Sequence, residues 1–327
     1  MRAIFLSNGG DVLLGSFVYK LFKERFYDEV DKLWICYNNH AQVPQDAVSE
    51  YLSLVTKDPK VRLIYHPVGV GNGRPITEMV LISQEDYICL MEDDFFVFNS
   101  GALDRNFKLI EENKTDIVGS VRYTVGEVAE AAQKKYNLDY SGYGDKGMGW
   151  WPTGFFIKRK DLLRTDLDFG SKKYARGEYF KELDYTFKED NYTDTFTWAS
   201  LQLRHLGLKS IDIPHHHADP YEIQNKEAGD MNWHFTQQPF DWIHGGSLSA
   251  GWNGYLSGKL PDVSHDAAKQ EMESRCAFWM IVIDEVSGFT EFRKQYREGI
   301  AHLIETTQLD FDRIDKKIQI YKELMKA

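Results

Sequence analysis

One stretch of the sequence, between Tyr87 and Phe98, limits the folds available to this chain more than any other. Its first part, Tyr87 to Met91, is apolar, and three acids follow before the sequence becomes apolar again at Phe95. An unbroken apolar run of this length is typical of a strand that is buried on both faces, as in the middle of a mostly parallel sheet. We therefore predict an α/β fold built on a mostly parallel sheet flanked by helices.

The three acids Glu92, Asp93 and Asp94 are here called the acid turn. Adjacent carboxylates repel one another and are costly to desolvate unless a cation or solvent compensates them. Ligands in α/β proteins bind at the carboxyl ends of the strands, and hard oxygen ligands suit Mg²⁺ or Mn²⁺. A solvated loop is the alternative, but the apolar residues on both sides favour a metal site.

Composition narrows the class of protein. The chain has 327 residues, 43% of them hydrophobic, and can bury a large core. No apolar run approaches the ~20 residues that span a bilayer, and the start is too short for a secretory signal, so a cytoplasmic location is expected. The three cysteines (Cys36, Cys89 and Cys276) fit reduced core thiols, and the net charge of −11 argues against broad nucleic-acid binding.

The first part of the chain alternates between strand and helix, which predicts right-handed parallel crossovers. Apolar runs predict strands at Ala3–Leu6, Lys32–Tyr37, Val61–Tyr65, Tyr87 onward and Asp116–Val121, and helical spacing predicts helices between them. A loop rich in Gly, Pro and Asn, Pro67–Pro75, precedes a helix predicted at Ile76–Ile82. Its glycines allow either close approach to a ligand or a plain turn, and it lacks the phosphate-loop pattern.

The alternation breaks after about residue 122. A short helix is predicted at Val125–Tyr136, then a Gly-rich loop up to Gly149, then a strand at Trp150–Ile157 whose two indoles either stack on a sugar or close the core. Residues 221–258 are aromatic and lack a clear period. We predict three parts: an alternating first part (1–122), a second part with a loop-rich aromatic region (123–258) and a C-terminal helical annex (259–327). The helices of the annex pack on the rest of the protein or support a homo-oligomer.

Two further groups of residues carry chemistry. Asp194 stands before a predicted helix that ends near Gly207, where it would be an N-cap or first-turn acid. Three consecutive histidines, His215, His216 and His217, follow a strand predicted at Ser210–Ile213.

The order of these pieces resembles the GT-A glycosyltransferases, especially family-two-like members that use nucleotide sugars, over roughly residues 1–220. Glu92-Asp93-Asp94 looks like the Asp-x-Asp motif of that superfamily. The resemblance implies that Asp94, with Glu92, holds Mn²⁺ or Mg²⁺ on the donor diphosphate, and that Glu92 or Asp93 contacts the ribose or donor sugar. The further donor contacts are Asn8, Asn38, Asn72, Arg74 and Trp151.

The same resemblance assigns the remaining site residues. Asp194 looks like the base that activates the acceptor, with Glu189 and Asp190 as rivals, and one of His215, His216 and His217 looks like another metal ligand. The sequence departs from the family pattern in two places that affect which nucleotide would bind. The first turn, Ser7–Gly10, lacks the opening sequence that is usual in family-two members, and Asn38-Asn39 replaces the expected Asp after the second strand.

The function that the resemblance implies is metal-dependent transfer of a sugar from a nucleoside-diphosphate sugar to a hydroxyl acceptor. It also implies that residues 1–122 are the nucleotide-sugar-binding half of the GT-A domain and residues 123–258 the acceptor-binding half. A cation would neutralise the departing diphosphate, and a carboxylate base would assist the acceptor hydroxyl. The alternatives are a sugar-phosphate nucleotidyltransferase, whose basic Gly-rich first loop is missing here, and a non-catalytic carbohydrate-binding protein of the same fold.

Overall fold

A seven-stranded sheet forms the centre of the molecule. Its strand order is β12-β6-β7-β4-β1-β2-β3, and β7 is antiparallel to both of its neighbours, whereas the other pairs are parallel. The computed structural model describes residues 1–9, 12–39, 43, 45–97, 99–123, 127–137, 147–213 and 242–244, with five helical positions at 312, 315, 319, 322 and 323. The predicted mostly parallel sheet is confirmed.

The strands of the central sheet alternate with helices along the chain. In chain order the elements up to the sixth strand are β1 (Arg2–Asn8), α1 (Val12–Leu21), β2 (Lys32–Asn38), α2 (Gln45–Thr56), β3 (Val61–His66), α3 (Gly73–Ile82), β4 (Tyr87–Glu92), β5 (Phe95–Val97), α4 (Ala102–Glu111) and β6 (Ile117–Tyr123). A π-helical turn (Phe22–Phe26) and a 3-10 turn (Tyr27–Glu29) extend α1.

The later elements are shorter. They are α5 (Glu127–Tyr136), β7 (Gly147–Lys158), α6 (Arg159–Leu162), β8 (Lys172–Tyr174), β9 (Tyr179–Phe180), β10 (Tyr185–Thr186), β11 (Asn191–Thr193), α7 (Thr197–His205), β12 (Ser210–Ile213) and β13 (Trp242–His244). The predicted C-terminal annex lies outside the described residues, apart from the five helical positions. In the described part of the chain, no helix has the length and apolarity that crossing a membrane requires.

Helices cover both faces of the sheet. Buried residues of α1, α2 and α4 form one core with one face, and buried residues of α3 and α7 form a second core with the other. Apolar side chains at helical spacing, such as Leu14, Phe17, Val18 and Leu21 of α1, supply this contact. The result is a three-layer sandwich in which β4 and β1, at the middle of the sheet, are buried on both faces.

Two boundaries differ from the sequence prediction. Helix α3 begins at Gly73, three residues before the predicted start, and β7 begins at Gly147, inside the segment predicted to be a loop. The glycines of this segment serve packing as well as turns, because a Cβ at Gly149 would lie 2.6 Å from the Cβ of Ser200 on α7. Cys36 and Cys89 are buried free thiols, as predicted; Cys276 lies outside the described residues.

A small third core lies beside α7. Strands β8 to β11 pair two by two, and their aromatic side chains stack with Trp198 of α7 and with α5. The closest pairs are Phe180 with Trp198, at 4.7 Å between ring centroids, and Tyr174 with Phe187, at 4.8 Å. This packing fixes the chain immediately before Asp194.

Candidate active site

The candidate site lies at the carboxyl edge of the parallel strands. β1, β2, β3 and β4 end there at Asn8, Asn38, His66 and Glu92. The register pairs Ser7 with Glu92, so the residues after β1 lie beside the acid turn. Antiparallel β7 begins at the same edge, which brings its first residues next to the ends of β4 and β6. Such an edge is where open α/β sheets bind ligands.

Two of the three residues of the acid turn are buried, and Glu92 is partly buried. Asp93 is 1% exposed and Asp94 is 4% exposed, and the two form the turn between β4 and β5. The backbone N–H of Gly9 donates to Asp93 Oδ2 at 2.8 Å, and the backbone N–H of Glu92 donates to Thr153 Oγ1 at 3.2 Å. The turn is therefore tied both to the end of β1 and to β7.

The donor set of the acid turn fits a hard divalent cation. It offers only carboxylate oxygens, which suit Mg²⁺ and Mn²⁺. Two adjacent buried carboxylates also repel each other, and a cation relieves that repulsion. The alternative of a solvent-exposed loop is wrong for Asp93 and Asp94, because both side chains are buried.

Strand β13 brings a distant part of the chain to the acid turn. It pairs antiparallel with β5, with His244 opposite Phe95 and Trp242 opposite Val97. Trp242 is fully buried, and its ring centroid lies 5.5 Å from that of Phe95. No strand was predicted in this aromatic segment, because three residues are too few to show a period. The sequence signal here is weak: Trp242 and Ile243 are residue types that favour strands.

Asn8 and Asn38 occupy neighbouring strand ends but differ in their partners. Asn8 is fully buried and its Nδ2 donates to the hydroxyl of Tyr51 at 3.1 Å, which ties the end of β1 to α2. Asn38 is 3% exposed, and its Oδ1 accepts no hydrogen bond from the described residues. A buried acceptor without a donor is costly, so Asn38 is a better candidate for ligand contact.

The glycine-containing loop before α3 makes a close approach to another part of the chain. A Cβ at Gly73 would overlap the backbone of Phe169 and Gly170. For this glycine the contact is therefore internal, between the start of α3 and the segment after α6. Asn72 is the N-cap residue of α3 and makes no side-chain capping bond, and Arg74 Nε donates to Glu78 Oε1 at 2.8 Å.

The two tryptophans at the start of β7 have different environments. Trp150 is fully buried, and its Nε1 donates to Asp212 Oδ1 at 2.9 Å, while the Arg204 guanidinium lies 4.0 Å from the ring centroid. Trp150 therefore closes the core. Trp151 is only partly buried and packs against the core that α1, α2 and α4 form with the sheet. Of the two, it has the exposure that a donor contact requires.

Asp194 is not the N-cap of α7, and the prediction that it begins the helix is wrong. The helix starts at Thr197, its N-cap is Phe196, and its first turn contains no acid. Phe196 has φ of +68°, with its ring packed against Phe155 and Phe169, so the chain reverses direction after Asp194. Asp194 is exposed, and its Oδ1 accepts the N–H of Thr195 at 2.7 Å.

The rival acids lie just upstream on the same exposed segment. Glu189 and Asp190 are both exposed, and Asp190 Oδ1 accepts the backbone N–H of Arg176 at 2.9 Å. His215, His216 and His217 lie outside the described residues, so their predicted metal role stays a prediction.

Comparison with known proteins identifies the family. A family model described as glycosyl transferase family 2 matches residues 17–180, about half of the chain and the part that contains the acid turn. No curated protein matches the sequence.

Two solved structures have a similar arrangement of the backbone. TarS 1-349 of S. aureus is 8% identical, with a TM-score of 0.42 and coverage of 100% of this chain and 90% of that chain. The mannosyltransferase PcManGT from Pyrobaculum calidifontis, solved with GDP-Man and Mn²⁺, is 9% identical, with a TM-score of 0.43 and coverage of 99% and 84%. These scores are too low to support a functional argument. On the family match and the sheet topology, this chain belongs to glycosyl transferase family 2 and is a glycosyltransferase with the GT-A fold.

Proposed function

We propose that this glycosyltransferase moves a sugar from a nucleoside-diphosphate sugar to a hydroxyl group of an acceptor, with the help of Mn²⁺ or Mg²⁺. The observation that carries the proposal is the burial of Asp93 and Asp94 at the carboxyl edge of the sheet. Two buried carboxylates side by side are costly in a purely structural role. They are useful where a cation and a diphosphate must be held together.

In this proposal Asp94 and Glu92 hold the cation, and His215 or His217 completes its coordination. Asp93 is assigned the donor contact, because its Oδ2 already accepts the N–H of Gly9 and is fixed in position. When bound, the cation neutralises the negative charge that develops on the departing diphosphate.

The nucleotide is proposed to bind along the ends of β1 and β2 and the start of α3. Asn38 has a buried Oδ1 that can accept an N–H from the base or a ribose hydroxyl. Asn72 and Arg74, at the start of α3, are proposed to contact the donor beside it, and Trp151 to contact the sugar. The amide of Asn8 donates a hydrogen bond to the Tyr51 hydroxyl, so Asn8 is proposed to position the end of β1 beside the donor.

Asp194 is proposed as the general base for the acceptor hydroxyl. Its side chain is exposed, so an acceptor hydroxyl can reach it, and in this proposal the bound acceptor excludes water from it. Glu189 and Asp190 remain the alternatives. The carboxylates of Asp194 and Asp190 each accept one backbone N–H, from Thr195 and Arg176 respectively, so this contact does not distinguish them.

The test measures release of nucleoside diphosphate from UDP-, GDP- and dTDP-sugars, each with Mn²⁺, Mg²⁺ or EDTA. Slow hydrolysis of the donor gives the readout, so no acceptor needs to be known. We expect release from one donor that EDTA abolishes. Asp94→Asn, which preserves shape, should lower the rate at least about 100-fold, because even second-shell partners of metal ligands matter by 10–100-fold.

The matched control is Asp86→Asn, at the opposite end of the same strand region. Asp86 is exposed and pairs with the N-terminal amine at 2.9 Å, so its loss should leave the rate unchanged. Release that EDTA does not reduce would contradict the metal dependence. Pyrophosphate release from a nucleoside triphosphate and a sugar phosphate would instead indicate a nucleotidyltransferase, and donor binding without turnover under every metal would indicate a passive sugar-binding protein.

A further inference from the structure

A second group of side chains with metal-binding chemistry lies at the carboxyl ends of β2 and β3, under α3. It consists of Cys36, His66 and Glu78, here called the thiol cluster. One ligand atom from each side chain lies within 4.8 Å of those of the other two. Neither the acid turn nor the proposed transfer reaction accounts for a thiol at this position.

The fold, and not a mobile loop, brings the thiol cluster together. β2 and β3 are parallel, with Cys36 opposite Ile64 and Asn38 opposite His66. Residues two apart on a strand point to one face, and register partners share that face, so Cys36, Asn38 and His66 lie on the same side of the sheet. Helix α3 packs on that side and contributes Glu78.

Without a metal, hydrogen bonds account for only part of the cluster. His66 Nε2 lies 2.7 Å from Glu78 Oε2, and Arg74 Nε donates to Glu78 Oε1 at 2.8 Å. Burial opposes ionisation of Glu78, but the hydrogen bonds from Arg74 and His66 outweigh it and lower its pKa. Hydrogen-bonded ion pairs therefore account for Arg74, His66 and Glu78, but they do not involve the Cys36 thiol.

Cys36 is fully buried, and burial, with the nearby Glu78 charge, raises the pKa of its thiol to about 12. A small apolar residue would fill this position without placing a thiol beside a carboxylate. Asn38, which is proposed above to contact the nucleotide, lies directly opposite His66, so the thiol cluster borders the proposed donor site.

We propose that Cys36, His66 and Glu78 bind one borderline-soft divalent cation, with Zn²⁺ as the best match. Thiolate, imidazole and carboxylate are the ligands that Zn²⁺ accepts in tetrahedral sites, whereas the all-oxygen acid turn suits harder cations. Water fills the fourth position. The metal replaces the thiol proton, which passes to solvent as the metal–sulfur bond forms.

Only small movements are required. Tetrahedral Zn²⁺ with the usual bond lengths holds its ligand atoms about 3.3–3.8 Å apart. The thiol cluster therefore contracts slightly, and the His66–Glu78 hydrogen bond opens as both groups turn to the metal. Arg74 keeps its contact with the second oxygen of Glu78, so that carboxylate stays oriented.

The experiment uses Co²⁺ as a spectroscopic probe of the full-length protein after removal of metal with a chelator. A cobalt–thiolate bond gives a near-ultraviolet charge-transfer absorption that oxygen and nitrogen ligands do not give. We expect this band to saturate at one Co²⁺ per chain and to disappear when Zn²⁺ is added. Cys36→Ser should abolish it, and the matched control Cys89→Ala, at the other free thiol among the described residues, should retain it.

Two variants outside the core keep the test decisive if Cys36→Ser does not fold. His66 and Glu78 are partly exposed, so His66→Gln and Glu78→Gln should fold and should lower the affinity for Zn²⁺ by about 100-fold or more. Absence of the band in the wild type, its persistence in Cys36→Ser, or an unchanged affinity in both glutamine variants would overturn the proposal. The result is independent of the donor assay, since Asp94→Asn removes no ligand of the thiol cluster.

Discussion

The buried carboxylate of Asp58 allows a quantitative test of how this fold is held together. Its side chain is 1% exposed at the turn before β3. Oδ2 accepts from Lys23 Nζ at 2.7 Å and from the Tyr19 hydroxyl at 3.2 Å, and Oδ1 accepts from the Tyr27 hydroxyl at 3.0 Å and the Lys60 N–H at 2.9 Å. These bonds connect α1 and the turns that extend it to the start of β3.

We predict that Asp58→Asn destabilises the protein by about 2–3 kcal/mol. Hydrogen bonds to a charged group contribute about 1.5–3 kcal/mol, and removal of one partner from a fully buried ion pair costs about 3–5 kcal/mol. We expect a loss below the 3–5 kcal/mol of a fully buried pair, because the Lys23 side chain is 41% exposed and water can solvate its ammonium group once Asp58 is neutral. At about 2.1 cal/mol/K of unfolding entropy per residue, the loss corresponds to a Tm lower by roughly 3–4 °C.

The control is Asp28→Asn. Asp28 also faces a lysine, Lys60, but at 3.9 Å and with a side chain that is 99% exposed. Exposed pairs contribute about 0–1 kcal/mol, so this variant should unfold close to the wild type in urea and in thermal melts. An Asp58→Asn protein within ~0.5 kcal/mol of Asp28→Asn would refute the reasoning, because surface substitutions alone produce changes of that size.

The same variant has a predictable pH dependence. Burial alone would raise the pKa of Asp58, but hydrogen bonds from Lys23, the Lys60 N–H and Tyr27 outweigh it, so its pKa lies below the ordinary value. A lowered carboxyl pKa contributes stability that is fully present above the unfolded pKa and is lost as pH falls through the folded pKa. The stability difference between wild type and Asp58→Asn should therefore be largest near neutral pH and narrow below about pH 4.

Two further predictions concern the site and its support. Asp194→Asn should lower the rate of transfer to an acceptor by about 10²–10⁴-fold while donor binding persists. Asp190→Asn is the control. Equal losses of rate in both variants would argue against Asp194 as the base. Gly73→Ala should destabilise by about 1–3 kcal/mol in urea unfolding, because backbone overlap with Gly170 outweighs the ~1 kcal/mol gain in helix propensity. Gly170→Ala, whose Cβ would meet only Asp168 Oδ1 at 3.4 Å, should be much milder.

The acid turn and the strands around it could be predicted because their signals are local. The burial of β4 follows from an apolar run, and the turn follows from the three acids that interrupt it. Strand and helix alternation likewise predicted the parallel part of the sheet, up to β6. In each case neighbouring residues alone determine which face of the element is buried.

The features that the sequence did not reveal depend on distant contacts. β7 lies antiparallel between β4 and β6, an arrangement that no local pattern specifies. Asp194 resembled a helix cap by its position in the sequence, but the packing of Phe196 between two other phenylalanines moved the helix start to Thr197. Tertiary packing overrode a local preference that is worth only about 1 kcal/mol.

The pairing of β13 with β5 also has a consequence for how the enzyme is made. β5 leaves the acid turn directly, yet its partner Trp242 is synthesised about 145 residues later. Until then the rings of Phe95 and Phe156 lack the indole that covers them in the finished protein. Chains are synthesised at about 5–20 residues per second, so roughly 7–30 seconds separate the synthesis of β5 from that of its partner strand. A chain that ends before β13 therefore leaves an apolar surface beside the acid turn.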